Sequence, residues 1–328
     1  MNTVETFLAS AGWADAHREA LAGDASSRRY ERLTRGPDRA VLMNDPGGDL
    51  QPFLRIGRHL SATGLSAPEI YATEPDNGLI LMEDFGNSLL ARLAEEEPGN
   101  EANLYRAATD VLITLRTAPL PDGLQPYGPA EMALAVSPAA EFYAPATEAP
   151  VIHHSWLELT SALEEALLAS DMSPPVLIHR DYHAENLIWL PERSGAARVG
   201  LLDFQDALAG HAAYDFASLI GDVRREISAP VREAAIRHYL DATGEEEARF
   251  TAALAAQGAQ RNLRILGMFA RLCTHMGKPG YLSMMPRVWS LLMADLSHPS
   301  IETLREAVLS TLPEPTPERI ERIRRSAK

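Results

Sequence analysis

Asp181, Asn186 and Asp203 have the types and spacing that phosphoryl transfer requires. In that chemistry a loop carboxylate accepts the proton of an attacking hydroxyl. An amide five residues further on and a carboxylate at a strand end hold magnesium against the nucleotide phosphates. The first two lie in the run His179 Arg180 Asp181 Tyr182 His183 Ala184 Glu185 Asn186, and the third closes an apolar run. A histidine, an aspartate and an asparagine at these intervals recur by accident in roughly one or two chains of this length per hundred, so context has to decide. The bland alternative makes Asp181 and Asn186 surface loop residues and Asp203 a strand-end cap.

The flanking elements favour chemistry. Val176 to Ile178 leads into the loop, Leu187 to Leu190 leaves it, and Val199 to Leu202 delivers Asp203, as a unit of three short strands requires. Pro191 Glu192 Arg193 Ser194 Gly195 supplies the reversal between the last two. Upstream, Val4, Phe7, Leu8 and Ala11 predict a short amphipathic helix within 3 to 17. Glu19 to Ala22, Arg28 to Leu33, Arg39 to Met43, Glu69 to Thr73 and Leu79 to Glu83 read as an antiparallel sheet, with a helix from Leu50 to Gly64. Beyond Gly86 the chain turns to long Ala, Leu and Glu stretches, predicting helices over 101–117, 153–170, 213–226, 229–242 and 245–276. Pro119 to Pro150 reads as a long connection with short helices.

At these residues the chain resembles the aminoglycoside phosphotransferase and choline kinase superfamily, which shares the architecture of protein kinases. Gly23 to Tyr30, Leu81 to Gly86, Leu202 to Asp206 and Gly210 to Asp215 are similar to one bacterial subgroup, the anomeric kinases that act on N-acetylmuramate and N-acetylglucosamine in cell-wall recycling. The resemblance covers about Ala20 to Lys278. It implies a two-lobed α+β fold: a small antiparallel-sheet lobe over 1–84, ending at a hinge, and a larger, mainly helical lobe over 85–328. It also implies ATP and Mg2+ as cofactors.

Candidate site residues follow from both readings. Asp181 is the expected base, and Asn186 and Asp203 the expected magnesium ligands. Gly23, Ser26 and Ser27 would let backbone amides and hydroxyls approach phosphate, although one glycine also suits an ordinary hairpin turn. Protein kinases place a lysine on the third strand; here Val41 Leu42 Met43 offers a methionine, and the following helix has no glutamate. A cation must come from elsewhere. Alternation puts Arg28 and Tyr30 on one strand face and Arg29 on the other, so Arg28 is the first choice and Arg29 the fallback. Surface arginines remain the alternative. Met82 to Phe85, with Glu83 and Phe85 as the nucleotide-contacting positions, would form the hinge, whose backbone meets adenine in relatives.

His183 is two residues from Asp181, placed to meet acceptor or phosphate, or to serve structure alone. Gln205, Asp206 and His211 are expected to bind sugar hydroxyls or an acetamido group. Gln257, Gln260, Arg261 and Arg264 form a polar stripe: either a solvated helix face, or, through Arg261 or Arg264, a partner for a muramic carboxylate. His179 is expected to brace the loop, and Asp215 to anchor it from below, a role compatible with helix capping.

Bulk properties set limits. A chain of 328 residues with formal charge −15 argues against nucleic acid as partner, because phosphate binding needs a basic face. The single Cys273 excludes an internal disulfide. Without a signal peptide or a spanning apolar stretch, the sequence reads as cytoplasmic and soluble, with no membrane partner. An aminoglycoside or other aminated alcohol is the alternative acceptor, and a nucleotide-binding pseudokinase the alternative class, motivated by the absent lysine.

Overall fold

The computed structural model describes residues 3–21, 28–147, 152–170 and 173–327. In chain order the elements are α1 (Thr3–Ser10), β1 (His17–Leu21), β2 (Arg29–Arg35), β3 (Asp38–Asn44), α2 (Gln51–Ala62), β4 (Ile70–Glu74), β5 (Leu79–Glu83), α3 (Leu90–Glu96), α4 (Glu101–Thr117), β6 (Pro126–Tyr127), α5 (Pro129–Leu134), α6 (Ala144–Ala146) and α7 (His153–Ser170). There follow β7 (Val176–Ile178), β8 (Leu187–Trp189), β9 (Val199–Leu201), β10 (Leu208–Gly210), α8 (Ala213–Ile220), α9 (Ala229–Thr243), α10 (Glu247–Met276), α11 (Met285–Asp295), α12 (Glu302–Thr311) and α13 (Pro317–Arg325). The fold is α+β, as expected.

The chain divides into two units. The first comprises Met1–Val111 with Ala184–Asp206, and the second Leu112–His183 with Ala207–Lys328. This differs from the expected division after residue 84, because a later hairpin is tied into the first unit. Ser66 Oγ donates to the Ala197 carbonyl at 2.6 Å, and Leu201 N–H donates to the Ser66 carbonyl at 2.8 Å. Phe204 stacks on Phe53 with ring centres 4.8 Å apart, while Phe85 packs with Ile188 and Leu190. At Gly200 a Cβ would lie 2.7 Å from the Phe85 ring, so the close approach demands glycine.

The first unit is built on the five-stranded sheet β1-β2-β3-β5-β4, with antiparallel pairing throughout. Strand alternation sends Leu33, Ala40, Leu42, Leu79 and Leu81 into one cluster with Val4, Phe7, Leu8 and Trp13. Each such side chain, once fully buried, contributes about 1.5–3 kcal/mol. Met43 and Ile80 sit opposite each other in the β3–β5 register, on the reverse face.

The second unit is organised around α10. This helix packs against α7, α8, α11 and the π-helical turn Ala139–Tyr143. Gly267 permits that last approach, since a Cβ there would sit 2.3 Å from the Ala139 nitrogen. The polar stripe is therefore not a solvated face: Gln257, Gln260 and Arg261 are buried and Arg264 is half-buried. Donors of Gln260 and Arg261 find partners inside the protein. Gln260 donates to Tyr127 Oη at 3.1 Å and to the Met132 carbonyl at 2.9 Å. A small sheet completes the unit, with β10 antiparallel to β7 and parallel to β6. The helix expected over 213–226 stops at Ile220, and in the turn that follows arginines bond the Gly221 and Asp222 carbonyls in place of a further helical turn. Among the described residues no helix is long and apolar enough to cross a membrane.

Candidate active site

In the first unit the β8–β9 register pairs Leu187 with Leu201, and Leu202 N–H donates to the Asn186 carbonyl at 3.0 Å. Asn186 and Asp203 therefore emerge together at the open end of one hairpin. Asp203 has φ +60°; it and Arg180, at φ +76°, are the two left-handed non-glycine residues among the described ones. Such backbone costs of order 1–3 kcal/mol unless neighbours enforce it, and it clusters at functional sites. Gln205 orients the carboxylate that this turn presents. Its Nε2 donates to Asp203 Oδ1 at 2.8 Å and to Asp206 Oδ2 at 3.3 Å.

Arg28 comes from the start of β2. Its Nε meets Asp45 Oδ2 at 3.2 Å and its Nη1 lies 3.8 Å from Asp203 Oδ1. Burial works against the charge, but Tyr30, Asp45 and Asp203 together hold the guanidinium above its ordinary pKa. Tyr30 beside it is pushed up by burial. Met43, paired with Tyr30 in register, is buried at the lysine's place. Arg29 is exposed. Asp45 was missed in the sequence, where only its position just past a strand end marked it. Gly23, Ser26 and Ser27 lie outside the described residues.

The hinge segment is also held by long-range pairs. Asp84 is buried against Arg32 at 2.7 Å, and its Oδ1 accepts from Gly86 N–H at 2.9 Å. Arg193, from the β8–β9 turn, forms an ion pair with Glu83 and lies over the Phe85 ring, 5.1 Å from its centre. Glu83 and Phe85 are thus fixed by a turn whose sequence promised only a reversal.

In the second unit Asp215 accepts from the N–H groups of both His179 and Arg180, the latter at 2.9 Å. Burial pushes its pKa up to about 6, against the pull of His179 and the two amide bonds. The carboxylate thereby locks the left-handed turn at Arg180 that presents Asp181. His179 is buried edge-on to Tyr182, ring centres 5.7 Å apart. His183 N–H donates to the Asp181 carbonyl at 3.1 Å. Burial, with Arg224, Arg261 and His179 nearby, lowers its pKa to about 2, so the imidazole is neutral. Arg261 is close enough to Asp181 for their charges to interact, and it is 4 % exposed. Arg224 was not singled out in the sequence, since nothing local marks it.

His211 is placed apart from this group. Gly210 pairs with Val176 and Leu208 with Ile178, so His211 follows the end of β10 opposite the catalytic loop. Its Nδ1 accepts from Ala213 N–H at 3.1 Å, capping α8. It lines two cavities of about 410 and 290 Å³, and neither includes Asp181 or His183. Gln205 and Asp206 accompany the metal residues in the first unit.

An amide and a carboxylate are hard oxygen donors. Among the described residues no group of three His, Cys, Asp or Glu could hold a metal. That combination fits magnesium, which takes one or two protein ligands and completes its shell with phosphate and water.

This α+β fold, with the Asp181 loop braced by a buried aspartate and a hairpin carrying Asn186 and Asp203, is that of a phosphotransferase, and the chain belongs to the phosphotransferase enzyme family, whose model matches residues 17–268. Within it, the chain is 38% identical to the N-acetylmuramate/N-acetylglucosamine kinase of Caulobacter vibrioides, over 91% of this chain and 93% of the relative. It is 30% identical to the Pseudomonas aeruginosa kinase of the same name, over 94% and 93%. Among solved structures, a choline/ethanolamine kinase family protein from Mesorhizobium loti shares the fold with TM-score 0.63 at 16% identity, covering 93% of this chain and 97% of that one.

Proposed function

We propose that this chain is an ATP- and magnesium-dependent cytoplasmic kinase whose acceptor is the anomeric hydroxyl of N-acetylmuramate or N-acetylglucosamine. The observation that carries it is Arg28, 3.8 Å from Asp203. A chain that had lost the third-strand lysine and only bound nucleotide would have no need of a second cation anchored by Asp45 at the metal carboxylate. Asp181 accepts the proton of the attacking hydroxyl, and neutral His183 offers a hydrogen bond without adding charge. Asn186 and Asp203 would hold magnesium, which neutralises charge on the phosphates. Arg28 adds a fixed positive charge beside them. The acceptor class follows the names of the relatives. An aminoglycoside, being polycationic, is disfavoured by the arginines around Asp181, namely Arg261 and Arg264.

Purified protein with ATP, magnesium and a panel of amino sugars and aminoglycosides provides the test. Phosphorylated N-acetylmuramate or N-acetylglucosamine is the expected product. Product with aminoglycosides alone would overturn the acceptor, and nucleotide binding with no product would favour a binding module.

A further inference from the structure

Resting on that reading, the two acceptors pose a charge problem. N-acetylmuramate carries a lactyl carboxylate and N-acetylglucosamine does not, so one site must hold an anion without depending on it. The arginines near Asp181 are not equivalent in this respect. Arg261 is buried, and its Nη1 donates to the Gly221 carbonyl at 3.3 Å. Arg287 donates through Nε to the Asp222 carbonyl at 3.2 Å and through Nη2 to the Arg225 carbonyl. These two cations tie down the carbonyls that α8 leaves behind where it ends. Asp222, buried within the same turn, accepts from Arg224 N–H at 2.9 Å. The turn is therefore braced from both sides, and Arg224 is its exposed arginine.

We propose that Arg224 reads the carboxylate of the acidic amino-sugar acceptor, and that Arg261 is a positioning residue that holds the turn presenting it. Arg224 is exposed on the turn whose Gly221 carbonyl accepts from Arg261, and its charge lies within electrostatic range of His183 and Arg261. A pre-braced backbone reduces the ordering cost of forming the pair, and guanidinium matches carboxylate with two parallel hydrogen bonds. Because the residue is exposed, a neutral acceptor strands no fully buried charge there. This assigns the reading of the carboxylate to Arg224 in place of Arg261.

Steady-state kcat and KM for both sugars, measured with ATP and magnesium on wild type, Arg224→Gln and Arg224→Lys, test the assignment. The kcat/KM ratio of N-acetylmuramate to N-acetylglucosamine is expected to fall roughly ten- to hundredfold in Arg224→Gln. The change should lie in KM for N-acetylmuramate, and Arg224→Lys should restore part of it. The ratio is internally controlled, so a partly unfolded variant does not mimic the effect. An unchanged ratio, with wild type active on both sugars, overturns the role of Arg224 alone. Wild type inactive on both overturns the acceptor reading and this inference with it.

Discussion

The turn at Arg180 and the turn at Asp203 both force a non-glycine residue into the left-handed region, yet they are held in opposite ways. In the second unit a single buried carboxylate, Asp215, takes two backbone amides. In the first, side chains do the holding: Gln205 and Arg28 converge on a carboxylate whose side chain is 43% exposed. Backbone bonds to a buried anion are expensive to open, whereas side-chain contacts to a partly exposed carboxylate exchange more readily with water or ligand. The proposed base is thus presented by a fixed turn, and the proposed metal carboxylate by an adjustable one. A general base needs constant geometry, while a metal ligand has to accommodate an incoming ion.

The largest effect should come from the fixed side. Asp181→Asn is expected to lower kcat roughly 10²- to 10⁴-fold, with nucleotide affinity by calorimetry little changed; comparable turnover would place the base elsewhere. On the adjustable side, Arg28→Ala should reduce kcat/KM for ATP roughly 10²- to 10³-fold, and unchanged kinetics would mean the missing lysine is replaced by another cation. Stability separates the two turns directly. Asp215→Ala strands two amide donors and should cost about 2–5 kcal/mol in urea unfolding, whereas Gln205→Ala should leave the unfolding midpoint almost unmoved. The same Gln205→Ala change should instead weaken the magnesium dependence of activity roughly tenfold or more. If both variants destabilise equally, the contrast is wrong.

The smallest effect is one of pH. Asp215 has its pKa raised to about 6, so between roughly pH 4 and 6 the folded chain keeps a proton that the unfolded chain has released. Its contribution is full below pH 4 and is lost as pH rises through about 6. The loss should be on the order of 2–3 kcal/mol, and Asp215→Asn should flatten that slope in unfolding measured from pH 4 to 7.

The parts legible in the sequence are those specified locally. The apolar runs around Asp181 and Asp203 predict short strands, and β7, β8 and β9 fall on them. The five strands of the first unit and the long helices also appear where alternation and 3.6-residue periodicity put them. What stayed hidden depends on partners far away in the chain. Arg193 and Glu83 are separated by 110 residues, and Arg32 and Asp84 by 52. The stripe on α10 illustrates the limit best. Gln257, Gln260, Arg261 and Arg264 have the pattern of a solvated face, and Tyr127 and Gly221, arriving from other elements, supply partners for Gln260 and Arg261 in the interior. The end of α8 was misjudged for the same reason, since its terminating arginines lie on α10 and α11.

The discontinuity of the first unit bears on how the protein is made. Ser66, Phe53 and Phe85 leave the ribosome long before the hairpin that satisfies them, because Ala184–Asp206 is synthesised after the whole of Leu112–His183. At ordinary elongation rates roughly 5–20 s pass between the two. Throughout that interval the nascent sheet carries an unfilled apolar surface, which makes this stretch of translation the point at which a chaperone has most to protect.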